Sequence, residues 1–173
     1  MIQIISGKYK GRKLRQVPDK YVRPTQAVIR KSVMQILEPL IGLHVLDLYA
    51  GVGTLGIESL SRGAAHLTAV ENNSMVFKVL KKNIDMIAHE DNVQLRCMDV
   101  EYFLKNENRT YDIILADPPY AMCNYDDLKI KINNHLNPNG IFCMEMSKRY
   151  VSEPYDKIKY YGNTQVVFWK YDS

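Results

Sequence analysis

From Gly42 onward, short apolar runs alternate with longer amphipathic stretches, and this rhythm constrains the fold more than any other feature of the chain. The runs at residues 45–49, 67–70, 93–97, 113–116 and 141–144 have strand length and are apolar on successive positions, as strands covered on both faces must be. Between them, residues 54–61, 74–89, 100–105 and 126–136 read as helices. Strands that alternate with helices pair in parallel through right-handed crossovers, which place helices on both faces of one sheet. The expectation is a doubly wound α/β domain. The tail breaks the rhythm, because residues 157–161 and 164–171 are two β-rich runs joined by Gly162-Asn163, a hairpin signal. An antiparallel strand is therefore expected to close the sheet.

The stretch before Gly42 has a different character. Residues 3–6 and 13–17 can pair as a hairpin across Gly7-Lys8-Tyr9-Lys10-Gly11. Pro18 and Pro24 then interrupt regular structure, and Thr25 is placed to cap a helix. Ile29, Val33, Ile36, Leu37 and Leu40 follow at helical spacing, so one face turns inward while Arg30 and Lys31 point elsewhere. This predicts a basic hairpin and helix over 1–41, attached to a main domain over 42–173.

Charge separates the two parts. Residues 1–31 hold nine basic side chains against the single acid Asp19, whereas the remaining 142 residues hold fourteen basic against eighteen acidic. A basic arm on a mildly acidic body is the footprint of a phosphate-backbone partner, because each neutralised phosphate releases counterions. Lys8, Lys10, Arg12, Lys13, Arg15, Arg23 and Arg30 are the candidate phosphate-binding residues; the alternative is a solvated basic hairpin. A chain of 173 residues buries enough surface to fold without disulfides or a structural metal. Cys97, Cys123 and Cys143 are odd in number and form no C-x-x-C pair, which suggests reduced, mostly buried thiols in the cytoplasm. No apolar run approaches the ~20 residues of a membrane span. The opening Met1-Ile2-Gln3-Ile4-Ile5 lacks the regions of a signal peptide, so the mature protein is expected to be the whole chain.

Asp47-Leu48-Tyr49-Ala50-Gly51-Val52-Gly53-Thr54-Leu55-Gly56 follows the first predicted parallel strand and opens a helix, the setting a G-x-G-x-x-G nucleotide loop requires. Glu71 ends the second strand twenty residues after Gly51, where a carboxylate can accept hydrogen bonds from both ribose hydroxyls of an adenosine cofactor. Tyr49, Ala50, Gly51 and Gly53 would lie along such a ligand, with no Cβ on the glycines to block it. The alternative is a glycine turn needed only for packing. Asp47 discriminates between cofactors: beside the loop, its carboxylate repels a pyrophosphate but attracts the sulfonium and ammonium of S-adenosylmethionine. Asp99, after the third strand, can accept from an adenine amino group or cap the helix at Val100, and the sequence leaves both roles open.

Asp117-Pro118-Pro119-Tyr120 ends the fourth strand. Two prolines in succession leave the sheet as a stiff extended loop that still offers carbonyls. An exocyclic base amine is a weak nucleophile because its lone pair is delocalised into the ring. The Asp117 carboxylate and the Pro118 carbonyl can hold both amine hydrogens and steer the lone pair toward a sulfonium methyl, which is catalysis by positioning and electrostatics. Tyr120 offers an aromatic face on which an extruded base can stack. The bland alternative is a rigid turn.

In the order of glycine loop, ribose acid, Asp99 and Asp-Pro-Pro-Tyr, the chain resembles the class I S-adenosylmethionine-dependent methyltransferases that modify amino groups. More closely it resembles the RsmD type, bacterial enzymes acting on the exocyclic N2 of one guanine in 16S ribosomal RNA. The residues that carry this are Ile4-Ile5-Ser6-Gly7, Lys10-Gly11-Arg12-Lys13-Leu14, Arg23-Pro24-Thr25 with Arg30, Leu46 to Gly51, Glu58 to Ala64, Glu145, and Tyr161-Gly162-Asn163-Thr164. The resemblance implies a Rossmann-like seven-stranded sheet and S-adenosyl-L-homocysteine as product, without a metal. It also implies a cytoplasmic monomer acting on ribosomal RNA, in a partly assembled small subunit. After Arg23-Pro24-Thr25 the family pattern has an acidic and a basic residue, then Arg-Glu, where this chain has Ala27, Val28, Arg30 and Lys31; if those positions touch RNA or order the arm, substrate contacts are expected to differ here. Competing readings are an adenine-N6 methyltransferase on RNA or DNA, a non-catalytic RNA-binding assembly factor, and an NAD-linked oxidoreductase, the last lacking a hydride-transfer acid or base. His44, His66, His89 and His135 form no metal-ligand spacing.

Overall fold

The computed structural model describes residues 2–18, 26–119, 124–152 and 154–171. Arg23, Thr25, Tyr120 and Cys123, each given a role from the sequence, lie outside the described residues.

The alternating rhythm folds as a seven-stranded sheet. Its strands are β1 (His44–Leu48), β2 (His66–Val70), β3 (Val93–Arg96), β4 (Tyr111–Ala116), β5 (Leu136–Ser147), β6 (Lys157–Tyr161) and β7 (Thr164–Lys170), in the order β3-β2-β1-β4-β5-β7-β6. Strands β1 to β5 run parallel, and β7 lies antiparallel between β5 and β6. The antiparallel strand thus occupies the penultimate place, and β6, rich in lysine, forms the edge.

Helices α1 (Ala27–Leu37), α2 (Thr54–Ser61) and α3 (Ser74–Ile87) share one buried cluster with Val45, Leu67, Ala69, Ile113 and Leu115 of the sheet. Helices α4 (Val100–Asn106) and α5 (Tyr125–Ile132) cover the other face, packing on Leu46, Leu48, Ile114, Phe142 and Met144. The alternation of side chains along each strand divides them between these two layers. Asn73, Asp99 and Asn124 cap α3, α4 and α5 by accepting first-turn amides. Helix α1 ends at Leu37 because Pro39 pushes Glu38 into extended backbone, ψ 144°. Leu40 is buried, but from the turn beyond the helix.

Two elements differ from their sequence pattern. The helix expected over 126–136 ends at Ile132 and is followed by a single 3-10 turn over Asn133–His135. Strand β5 then begins at Leu136, well ahead of the apolar run at 141–144. It takes in Asn137, Pro138, Asn139 and Gly140, residues that break strands in isolation, because Tyr111 pairs with Leu136 through a register shift and Asn139 and Gly140 bond to Tyr171. Cys143 is buried as expected, whereas Cys97 is exposed. Among the described residues no helix is long and apolar enough to cross a membrane.

Candidate active site

Parallel register aligns the strand ends. Leu48 pairs with both Val70 and Ala116, Val70 with Arg96, and Ala116 with Met144, so Tyr49, Glu71, Cys97, Asp117 and Glu145 follow as one row along the carboxyl edge. This edge is where open α/β sheets bind ligands.

Asp47 is 2% exposed and its Oδ2 accepts the Gly56 amide at 2.9 Å. Burial pushes its carboxyl up to about 7; the Gly56 bond opposes this, and the nearby charges of Asp117 and Glu71 reinforce it. Three carboxyl groups therefore crowd one side of the edge. Glu71 is fixed by the backbone: Oε2 accepts Gly51 N–H at 2.9 Å and Oε1 accepts Asn73 N–H at 2.8 Å. Each of its oxygens retains a second lone pair for a diol. Asp99 uses Oδ1 to cap α4, from Glu101 at 2.9 Å and Tyr102 at 3.1 Å. The capping role left open by the sequence is thus present.

The glycine loop turns through positive φ at Tyr49, Gly51 and Gly53. The bare faces of two of its glycines look onto packed side chains, the packing role that the sequence left as the alternative. A Cβ on Gly53 would meet Leu80 at 2.6 Å, and one on Gly56 would meet Leu67 at 2.8 Å and Asp47 at 3.0 Å. These positions let α2 and α3 close on the sheet and let the Gly56 amide reach Asp47. After Ala116, Pro118 and Pro119 end β4; Asp117 is half-buried, Pro118 buried and Pro119 exposed.

The arm before α1 is a tight loop in which Ile4 N–H bonds to Arg12 O and Leu14 N–H to Ile2 O, with one antiparallel bridge between Gln3 and Lys13. The pairing does not reach residue 17, because the backbone of Arg15 bonds instead to Asn83 of α3. Ile2, Ile4 and Leu14 join the buried cluster under α1 and α2, so the core runs continuously across residue 41. Glu58, fully buried in α2, accepts the amides of Ile5 (2.8 Å) and Ser6 (3.0 Å) and pairs with Arg62. Gly7 (φ 80°) passes so close to α2 that a Cβ would sit 1.8 Å from the Ser61 carbonyl oxygen.

Lys10, Lys13 and Arg15 are exposed; Arg12 is exposed and donates to Met86 O at 2.7 Å, and Lys8 pairs with Asp91 at 2.5 Å. Arg30 corrects the sequence reading. It is 4% exposed and donates to Gln3 O at 3.1 Å, because its place on α1 faces the arm and Glu58, whose charge opposes the effect of burial on the guanidinium. Its guanidinium is turned toward the arm rather than toward solvent. The buried His66 bonds to Thr68, and among the described residues no group of His, Cys, Asp and Glu could hold a metal ion. Sequence reasoning missed Asn83 and gave Glu58 no role of its own. The available signal was a polar residue on the inward stripe of an amphipathic helix at Asn83 and an acid inside a short apolar one at Glu58.

This sheet order and strand-end row define a Rossmann-like methyltransferase fold. The structure titled putative methyltransferase yhhF from Escherichia coli matches with a TM-score of 0.89 and 25% identity, over 99% of this chain and 98% of that one. The chain belongs to the family described as "Conserved hypothetical protein 95", whose model matches residues 2–170. It is 40% identical over 122 residues to ribosomal RNA small subunit methyltransferase D of Buchnera aphidicola subsp. Acyrthosiphon pisum, covering 69% of this chain and 63% of that protein. To the protein of that name from Buchnera aphidicola subsp. Baizongia pistaciae it is 35% identical over 149 residues, covering 83% and 75%. The match thus spans less than two thirds of the first relative's length.

Proposed function

We propose that this protein transfers a methyl group from S-adenosylmethionine to the exocyclic N2 amine of a guanine in 16S ribosomal RNA. The observation that carries the cofactor is the buried carboxyl of Asp47 with Glu71 and Asp117 nearby: burial raises its pKa, the two neighbouring charges add to the rise, and a cation relieves both. A pyrophosphate would worsen it. The residues fit the group: Glu71 has acceptor capacity for the ribose diol beside Gly51, and Asp99, while capping α4, stands at the same edge for the adenine. Tyr49, Ala50, Gly51 and Gly53 form the turn alongside.

When bound, S-adenosylmethionine supplies an electrophilic methyl on a sulfonium. Asp117 and the Pro118 carbonyl accept the two hydrogens of the amine, orienting its lone pair, and the Asp117 carboxylate stabilises positive charge as it develops on nitrogen. Tyr120 stacks the extruded base. Lys8, Lys10, Arg12, Lys13, Arg15 and Arg23 hold phosphates of the RNA. The names of the family relatives support ribosomal RNA as the substrate class. We extend the reading to a cytoplasmic monomer acting on a partly assembled small subunit and needing no metal. Incubating the protein with methyl-labelled cofactor and small-subunit RNA, both free and in partly assembled subunits, then mapping the label by mass spectrometry, tests it: N2-methylguanine is expected in at least one of the two, and label on adenine N6, or none in either, overturns it.

A further inference from the structure

One buried side chain joins the basic arm to the glycine loop. Asn83 is fully buried on the inward face of α3. Its Oδ1 accepts the Arg15 N–H at 2.9 Å, and its Nδ2 donates both to the Arg15 carbonyl at 3.0 Å and to the Val52 carbonyl at 2.9 Å. The first two bonds pair Arg15 as a neighbouring strand would. The third ties the same planar amide to the residue between Gly51 and Gly53. Both hydrogens of Nδ2 are engaged, so a tilt of the amide that follows Arg15 misaligns the bond to Val52. Gly51 in turn donates to Glu71, the acid assigned to the ribose. The arm is also anchored by Arg30 on α1, by Glu58 and Ser61 on α2, and by Asp91 and the Met86 carbonyl at the end of α3 and beyond it. Those contacts hold the arm to the helices, whereas Asn83 bonds to the arm and the loop together.

We propose that Asn83 is a positioning residue that couples the arm, when it holds RNA phosphates, to the shape of the cofactor loop, so that each ligand tightens the binding of the other. The inference rests on the function proposed above. The side chains of Lys13 and Arg15 are exposed and those of Asn83 and Val52 are not, so RNA held outside acts inward through the Arg15 backbone. Coupling between two binding sites is reciprocal, and the single hydrogen bond from Asn83 to Val52, through which it must pass, limits it to about three- to tenfold.

The experiment measures the affinity of a fluorescent 16S RNA transcript with and without saturating S-adenosylhomocysteine, and the affinity of S-adenosylhomocysteine with and without RNA. In the unaltered protein both ratios are expected to be equal, at about three to ten. In Asn83→Ala they fall to one, and in Asp91→Asn, which loosens only the far anchor, they persist. A residue that served packing alone would lower the melting temperature on substitution and leave the ratios unchanged, and that result overturns the proposal. Should Asn83→Ala fail to fold, amide exchange in the unaltered protein decides: S-adenosylhomocysteine is expected to slow exchange at the Arg15 N–H by a similar factor, and an unchanged rate overturns the coupling. Failure of either ligand to bind the unaltered protein overturns the proposed function, and the coupling with it. Binding of both ligands with ratios of one overturns the coupling alone.

Discussion

Burial pushes the Asp47 carboxyl up to about 7. The folded state holds this proton more tightly than the unfolded chain, in which an aspartate titrates near about 4. Its contribution therefore favours folding at low pH, is lost as pH rises from about 4 to about 7, and is constant above that. Asp47→Asn keeps an acceptor for Gly56 and removes the titration, so its stability relative to the parent should be greater at pH 8 than at pH 5, as read from urea midpoints. A cationic ligand should pull the Asp47 pKa down. S-adenosylmethionine should then bind with proton release and more tightly at pH 8 than at pH 6, which calorimetry in buffers of different ionisation enthalpy detects, and Asp47→Asn should abolish the release. Glu71→Ala should weaken cofactor binding by the ~1.5–3 kcal/mol of hydrogen bonds to a charged group. Asp117→Ala should leave that affinity nearly intact and lower single-turnover methyl transfer by about two orders of magnitude or more. Transfer near the parental rate would contradict the positioning role.

At the scale of elements, the arm and the strand ends behave differently. The arm keeps the side chains of Lys10, Lys13 and Arg15 at the surface while Ile2, Ile4 and Leu14 anchor it; Arg12 and Lys8 combine both roles, bonding to Met86 O and Asp91. Neutralising Arg12, Lys13 and Arg15 together should weaken RNA binding across many sequences. Each lost phosphate contact should flatten the dependence of log affinity on log salt by about 0.7–0.9. The melting temperature should barely change, apart from the bond Arg12 makes to Met86 O. A large fall in melting temperature with an unchanged salt slope would make these side chains stabilising elements instead. The strands and helices that were legible in the sequence are those whose own pattern decides them: α2 spans the residues its spacing predicts, β1 is shifted by one residue, and β2 and β3 differ by one residue at an end. Strand β5 was read too short because its first five residues pair through partners on β4 and at Tyr171, which local pattern does not reveal.

At the scale of the whole molecule, the arm and the sheet share one apolar cluster, which predicts a single cooperative unfolding transition. Glu58→Ala would leave the amides of Ile5 and Ser6 without their acceptor and Arg62 without its buried partner. A loss of about 3 kcal/mol is expected, or about 10 °C in melting temperature for a chain of this size. Calorimetry showing a separate low-temperature transition for the arm would contradict the shared core. The sequence by itself determined the α/β alternation, the glycine loop, the strand-end acids and the basic arm, since each depends on residues close together in the chain and on periodicities of two or about 3.6. Only the tertiary structure decided that Arg30 faces inward, that two of the loop glycines serve packing, and that Asn83 and Glu58 hold the arm to the core. Those outcomes depend on which surfaces meet between elements, beyond the reach of any one element's own pattern. There the competition between burying a charge and pairing it is settled by neighbours that no local pattern names.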